Sequence, residues 1–475
     1  MINFIAPENN YNNDLMELVR AFSQRIDKDF DLSLKYEIDG IRMSVFVAVD
    51  GTKGKEYSYD FTVEAGDELE RKRLEKRYLK EAIYNSVVDY TGIGLPYGCL
   101  TGIRPTKLFR ELGDKARDMF ENEFSVSQKK VELVERIVNV QEPYRNDGDG
   151  HDVFVFIPFC PTRCAYCSFV SVAIDRQKKL IAPYVDCLLK EIEFLKEVVK
   201  EKGLKIRTVY VGGGTPTSIP VEYLDQILGA LVDFKPFEFT VEAGRPDTIN
   251  SDVLTVLKRH GVTRISINPQ TFNDATLERI GRKHTTELVE RVYEEAKEHF
   301  DVNMDLIAML PGETLDDFKH SVDRAVELGA ENVTVHTLYL KQGSQLKVGG
   351  YQSVDNKTAE EMVDYAYTTL TEAGYEPYYM YRQKYTSGNL ENVGYAKKGK
   401  LCVYNVDIME EDTSILAAGA AAISKKWDMS INLITRNANF KEPLEYVKHF
   451  DTVMERQRAF WLGDDKNPSK YVKKP

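Results

Sequence analysis

Apolar positions recur along the chain in two rhythms, and the change from one to the other divides it. Leu15, Leu18, Val19, Phe22 and Ile26 fall at helical spacing within residues 13–27, which predicts an opening helix. The runs DLSLKYEI, IRMSVFVAV and KEYSYDFTV then alternate apolar with polar, separated by Asp39-Gly40 and by a loop that opens at Asp50-Gly51. Asp-Gly between alternating runs signals a hairpin, so a three-stranded antiparallel meander is expected. Charged helical segments follow at 67–91 and 127–141. Between them lies Thr101-Gly102-Ile103-Arg104-Pro105-Thr106-Lys107, where Pro105 suits the first position of a helix. The polar stretch YRNDGDGH at 144–151 reads as a linker, so residues 1–148 are expected to form an α+β domain.

From residue 153 the rhythm changes. Short, β-rich apolar runs at 153–157, 206–211, 237–242, 264–268, 302–309 and 332–338 alternate with helical patterns at 183–200, 221–233, 251–260, 285–299 and 314–328. Nearly continuous apolar strands between helices imply a parallel sheet covered on its outside. Six units fit a partial (β/α)6 barrel over residues 149–345; the rhythm stops near 340, too early for eight. Residues 346–475, opening with a helix at 357–374, read as a mainly helical C-terminal domain that covers the substrate. The tail KNPSKYVKKP reads as a solvated end.

Barrels of this kind carry their chemistry at the C-terminal ends of the strands. The first strand runs into FIPFCPTRCAYCSF (156–169), where Cys160, Cys164 and Cys167 have CxxxCxxC spacing. A zinc site usually takes four ligands, often from CxxC pairs, and no second pair is present. Three thiolates suit a 4Fe–4S cluster with one iron left open. Cys99, Cys187 and Cys402 are most simply non-ligands. The second strand ends in Gly212-Gly213-Gly214-Thr215-Pro216-Thr217, whose glycines let backbone approach a ligand. The third ends at Glu242, and the fourth leads into Asn268-Pro269-Gln270-Thr271-Phe272 and then Gly281-Arg282-Lys283-His284. The fifth carries Asp305, whose charge in an apolar strand needs a partner. Beyond it, Thr314 and Asp317 are spaced as a helix cap. Tyr378, Tyr379 and Tyr381 with Arg382 and Lys384 make an aromatic, cationic patch.

Composition narrows the class. At 475 residues, 43% hydrophobic and 29% charged, the chain reads as an ordinary globular protein of two to four domains. Its first residues show neither a basic leader nor a long apolar stretch, and no membrane partner is indicated. Clustered thiols then suggest a reducing cytoplasm. A net charge of −12 argues against a nucleic-acid partner.

Taken as a set, IPFCxxxCxYCxF, GGGTPT, the VEA strand end, INPQTF, GRKH and DLIxMLPGET resemble the oxygen-independent coproporphyrinogen III oxidase branch of the radical S-adenosylmethionine (radical SAM) enzymes. The resemblance covers residues 150–430, and TGIRPTK with the N-terminal domain is most similar to the HemZ-type coproporphyrinogen dehydrogenases. It implies 4Fe–4S ligation by Cys160, Cys164 and Cys167. It also implies SAM contacts from Phe154, Tyr166, Gly213, Gly214, Thr215, Glu242, Gln270, Arg282 and Asp305, with no catalytic side chain beyond this site. The implied reaction is oxidative decarboxylation of two propionates of coproporphyrinogen III to vinyl groups, with flavodoxin or ferredoxin as electron donor. Arg104, Lys107, Arg245 and Arg382 are candidates to pair the substrate carboxylates. Three positions depart from the pattern: Phe154 replaces a Tyr, Phe169 stands where the best-known oxidases have a further Cys, and Tyr404-Asn405 stands where haem-chaperone relatives have His-Asn. The alternatives are a haem-binding chaperone and a radical SAM enzyme acting on another substrate such as tRNA.

Overall fold

The expected meander is present in the computed structural model, which describes residues 2–463 apart from 9–10, 147, 340–343, 349, 352–354, 384–385 and 432. A four-residue strand, β1 (Ile2–Ile5), precedes it and is too short for alternation to announce. It lies parallel to β2 (Phe30–Asp39), which pairs antiparallel with β3 (Arg42–Val49), itself paired with β4 (Lys55–Thr62). Helix Asn12–Ser23 buries Leu15, Leu18, Val19 and Phe22, the face its spacing predicts. Helix Glu68–Thr91 packs on β3, starts at an Asp67 side chain that accepts from the Glu70 N–H, and stops at left-handed Gly92.

The second rhythm builds one large sheet. Its strands are β5 (Gly150–Ile157), β8 (Lys205–Gly213), β9 (Glu238–Val241), β10 (Arg264–Ser266), β11 (Asp301–Ala308) and β12 (Asn332–Thr337). These six lie parallel, side by side in chain order, with helices between successive strands, which is the expected partial barrel. Two-residue strands β6 (Phe159–Cys160) and β7 (Val172–Ala173) pair to close the cysteine loop. Val153 and Val155 pack outward in the main core with Tyr184 and Leu188, whereas Phe154 and Phe156 join smaller clusters on the other face. The helix expected from 183 begins at Ile174, kinks at Gln177 and carries Pro183 inside it.

The C-terminal extension has helices as expected, notably Asn356–Glu372 and Phe450–Leu462, and also contributes five strands to the same sheet. β13 (Glu376–Arg382) and β14 (Glu391–Ala396) continue it antiparallel beyond β12. β15 (Ser414–Ala418) lies parallel to β5 on the opposite flank, followed by the hairpin β16 (Ile423–Asp428) and β17 (Leu433–Ala438). Helix Val403–Glu410 packs against β8 and β13. Glu238 at the start of β9 accepts from the N–H groups of Val403 and Tyr404 at 3.0 and 3.2 Å, placing a carboxylate at that helix's positive end. Among the described residues, no helix is long and apolar enough to cross a membrane.

Candidate functional site

The glycine turn after β8 seats the cysteine loop after β5. Gly214 N donates to Ile157 O at 2.8 Å, Thr215 N to Phe159 O at 2.7 Å, and Ser218 Oγ to the same carbonyl at 3.0 Å. The fit requires glycine. A Cβ on Gly214 would stand 2.6 Å from Phe159 O, and one on Gly213, whose φ is 109°, would meet the Phe156 ring at 2.9 Å. The glycines, read from the sequence as a place where backbone approaches a ligand, here let one backbone segment approach another, and that contact fixes where the three cysteines begin.

Two of the three cysteines sit against polar groups from neighbouring strand ends. Thr215 Oγ1 lies 3.6 Å from Cys160 Sγ, and Arg245 Nη1 lies 3.7 Å from Cys164 Sγ and 3.1 Å from Thr162 Oγ1. Arg245 is held in turn by two 2.9 Å bonds to Asp247. It supports the cysteine loop and is not placed to meet a substrate carboxylate. Burial pushes the Cys160 and Cys167 thiols up, only partly offset for Cys160 by the Thr215 hydroxyl. Thiols in that state become thiolates when a positively charged metal centre binds them. No three of the described His, Cys, Asp or Glu residues stand close enough to share one ion. Three sulfurs spread over a loop, at the mouth of a glycine cradle, fit a multi-iron cluster with one ligand per iron.

Arg282 joins the loop to the rest of the rim. Its guanidinium donates to Tyr166 Oη at 2.9 Å, Asn268 O at 2.8 Å and Gly244 O at 3.0 Å. Three segments after β5, β9 and β10 are thereby tied to one buried, planar cation, a geometry an ammonium cannot reproduce.

Aromatic rings and two carboxylates line the wall below. Tyr404 stacks on Tyr210 at 4.4 Å and on Phe154 at 6.1 Å. Tyr210 Oη donates to Glu242 Oε1 at 2.5 Å, and Gly213 N donates to Glu242 Oε2 at 3.3 Å. Burial, with the charge of Asp305 adding to it, pushes the Glu242 carboxyl up to about 7 against these two donors. Asp305 behaves oppositely. Burial opposes its charge, but His336 and Asn303 outweigh it and hold the carboxyl below the usual range. Asn268 and Asn303 donate to its two oxygens at 2.8 Å each, and His336 Nε2 stands 3.6 Å away. The partner that the sequence demanded for Asp305 is thus an amide pair and an imidazole. Gln270 bonds to β11 through its own backbone, donating to Asp305 O and accepting from Ile307 N at 2.9 Å each. That bridging holds it at a φ of 70°, a left-handed conformation uncommon for a residue with a side chain.

The twelve residues expected to hold cluster and SAM therefore lie on β5, β8 and β11 or in the segments that follow the barrel strands. Other candidates fall elsewhere. Arg382 is buried over the Tyr97 ring at 4.1 Å and donates to Leu100 O at 2.6 Å, so it fastens β13 to the N-terminal segment. Tyr378 meets Asn405 at 3.3 Å and Tyr379 meets Thr334 at 3.3 Å, both buried; Lys384 is outside the described residues. Tyr381 Oη lies 3.2 Å from His336 Nδ1 and so extends the Asp305 network. Arg104 and Lys107 face Glu411 at 2.7 and 3.5 Å. Cys402 is buried against Glu238 at 3.3 Å, away from the cysteine loop. Sequence reasoning missed His336, Tyr210 and the stacking of Tyr404. The signal for His336 and Tyr210 was a polar residue inside an otherwise apolar strand, in VTVHT and TVYV.

Comparison with known proteins gives four findings. The sequence profile of the radical SAM superfamily matches residues 154–325. The chain is 38% identical over 451 residues, 91% of its length and 90% of the other's, to the oxygen-independent coproporphyrinogen-III oxidase-like protein HemZ of Bacillus subtilis. It is 36% identical over 195 residues to the heme chaperone HemW of the same organism, spanning 40% of this chain and half of that one. Among solved structures, coproporphyrinogen III oxidase (HemN) from Escherichia coli matches with a TM-score of 0.52 at 22% identity, over 66% of this chain and 72% of that one, a likeness of fold.

Proposed function

Because the chain belongs to the radical SAM superfamily, among the oxygen-independent coproporphyrinogen-III oxidase-like proteins, we propose that it oxidatively decarboxylates two propionates of coproporphyrinogen III to vinyl groups, giving protoporphyrinogen IX. The observation that carries this reading is the cysteine loop seated on a glycine cradle above an aromatic wall. Cys160, Cys164 and Cys167 would hold the 4Fe–4S cluster. Gly213, Gly214, Thr215, Glu242, Gln270, Arg282 and Asp305, with Phe154 and Tyr166, would hold SAM. When bound, the pair supplies the one-electron chemistry that removes hydrogen from a propionate carbon with no acidity for a base to use.

The chain's own residues do the rest. Arg245 and Thr215 place donors against two of the sulfurs. The carboxylate oxygens of Glu242 and Asp305 are acceptors that suit the ammonium and hydroxyl groups of a bound nucleoside amino acid. Phe154, Tyr210 and Tyr404 exclude water from the space beneath, which protects a reactive carbon from unwanted hydrogen donors. A cytoplasmic reductant such as flavodoxin or ferredoxin would supply electrons.

A second reading, a haem chaperone, is favoured by Phe169 and by the HemW relatives, and is opposed by Tyr404 in place of a His. Anaerobic incubation of the reconstituted protein with SAM, dithionite and coproporphyrinogen III separates the two. Protoporphyrin with matching 5′-deoxyadenosine is expected. Deoxyadenosine with unaltered porphyrinogen, beside a competent oxidase as control, would overturn the decarboxylase reading.

A further inference from the structure

One guanidinium meets a sulfur of the cysteine loop, and its own turn aims it there. After β9 the chain runs through VEAGRPD into a short 3-10 turn, Pro246–Thr248. Thr248 closes that turn on Arg245 O, donating from its N–H at 2.9 Å and from its hydroxyl at 2.8 Å. Arg245 and Asp247, two residues apart, are thereby brought together and pair through two bonds, Nε to Oδ1 and Nη2 to Oδ2, at 2.9 Å each. A planar fork held along one edge by a carboxylate has a fixed direction for its remaining nitrogen. That nitrogen, Nη1, donates to Thr162 Oγ1 at 3.1 Å and lies 3.7 Å from Cys164 Sγ.

Cys164 is the sulfur that depends on such a donor. It is 8% exposed, whereas Cys160 and Cys167 are half-buried and within reach of water. Among the described residues, Arg245 is the only charged side chain that donates to any of the three sulfurs. Arg282, the other buried guanidinium of the rim, gives its N–H groups to Tyr166, Asn268 and Gly244 instead. At 3% exposure Arg245 is also screened from solvent, so its charge acts on the sulfur undiluted.

The pair is balanced one to one. His284 Nδ1 stands 4.0 Å from Asp247 Oδ1, but burial and the charge of Arg282 push that imidazole down to about 3, so at neutral pH it carries no charge. The Asp247 carboxylate therefore offsets Arg245 alone. The guanidinium faces the sulfur, and the carboxylate holds its other edge. Hydrogen bonds to the sulfurs and nearby positive charge stabilise the more negative, reduced state of an iron–sulfur centre and so raise its potential. A counter-charge on the donor limits that rise.

We propose that the Arg245–Asp247 pair sets the reduction potential of a cluster bound through Cys164, Arg245 raising it at the sulfur and Asp247 limiting the rise. This rests on the cofactor reading above. It gives the segment after β9 a redox role beside its support of the cysteine loop.

The test is an anaerobic redox titration of the reconstituted full chain, read by electron paramagnetic resonance of the reduced cluster, in wild type, Arg245→Gln and Asp247→Asn. In Arg245→Gln the ratio of reduced to oxidised cluster at a fixed potential should fall at least tenfold, a lowering of about 59 mV or more for a one-electron couple. In Asp247→Asn the guanidinium loses its counter-charge, and the same ratio should rise at least threefold. Opposite signs are what a merely structural support of the loop does not give. A ratio equal to wild type in either variant, or shifts of one sign in both, would overturn the tuning alone. A wild type that takes up no iron would overturn the tuning and the cofactor reading together. If Arg245→Gln takes up no cluster, Arg245→Lys replaces it. An ammonium paired with Asp247 cannot also reach Cys164, so at least a threefold fall is expected, and an unchanged ratio would count against the tuning.

Discussion

Replacing Gly214 by alanine tests how the cofactor site is assembled. The added Cβ would stand 2.6 Å from Phe159 O and 3.0 Å from Ile157 O. Both oxygens belong to backbone and accept from Thr215 N and Gly214 N, so no side chain can swing aside. The glycine turn and the cysteine loop must separate. Overpacking of this kind costs about 1–3 kcal/mol, and each backbone hydrogen bond lost adds about 1 kcal/mol. A total of about 3 kcal/mol, expressed at the site, weakens binding there roughly a hundredfold. The assay is iron and sulfide content after anaerobic reconstitution, followed by SAM affinity from equilibrium dialysis. Gly66→Ala is the control, since its Cβ would meet only the flexible Glu70 carboxylate at 3.4 Å; its stability should change by less than about 0.5 kcal/mol. A Gly214→Ala protein with wild-type iron content and SAM affinity would refute the claim that this contact positions the cluster loop.

Arg282→Lys should lower iron content and SAM affinity at least tenfold while leaving the fold intact, because one ammonium cannot reach Tyr166, Asn268 and Gly244 together; full retention of both would show that the tie is dispensable. Asp305→Asn should lower the unfolding midpoint by about 1–3 kcal/mol equivalent, since an amide cannot accept from both Asn268 and Asn303. Because Asp305 is held below the usual Asp range, its contribution is present above that range and is lost as pH falls through its folded value; an acid limb identical in the variant and wild type would contradict this. The buried pair Asp152 and Asp407 has the opposite sign. Burial pushes both carboxyls up, with the charge of Asp152 adding to it for Asp407, so the folded chain keeps protons that the unfolded chain releases above 3.8. Stability should then fall as pH rises above that value, by about 1.4 kcal/mol per unit per proton, and Asp152→Asn/Asp407→Asn should flatten a urea-midpoint profile between pH 5 and 8. Arg382→Gln should destabilise the chain without altering tetrapyrrole affinity; a selective loss of affinity would return Arg382 to the binding site.

The barrel was legible because its signal is local. Six apolar runs and their intervening helices announced the strand order, and the residues at strand ends announced the rim. Asp305 was legible as a charge needing partners, but His336 on the adjoining strand was not, since nothing in a single strand says which neighbour faces it; Asn303, two residues along the same face of β11, follows from strand alternation alone. The same limit hid the stacking of Tyr404 on Tyr210, residues far apart in the chain. Arg382 misled because an arginine among tyrosines reads alike whether it meets a ligand or, as here, a carbonyl and a ring in its own core. β15 to β17 add a further case: short and partly polar, they take their place from β5 and not from their own pattern.

That placement of β15 has a consequence for synthesis. β5 gains one neighbour when β8 follows it, but its other edge waits for Ser414–Ala418, about 260 residues later. At roughly 5–20 residues per second the ribosome takes about 13–50 s to deliver it. Throughout that interval the strand that launches the cysteine loop presents an open row of amides and carbonyls, the kind of edge on which nascent chains associate with one another. Chains released before residue 414 should therefore be insoluble, and the same delay leaves the loop approachable while iron and sulfide are delivered.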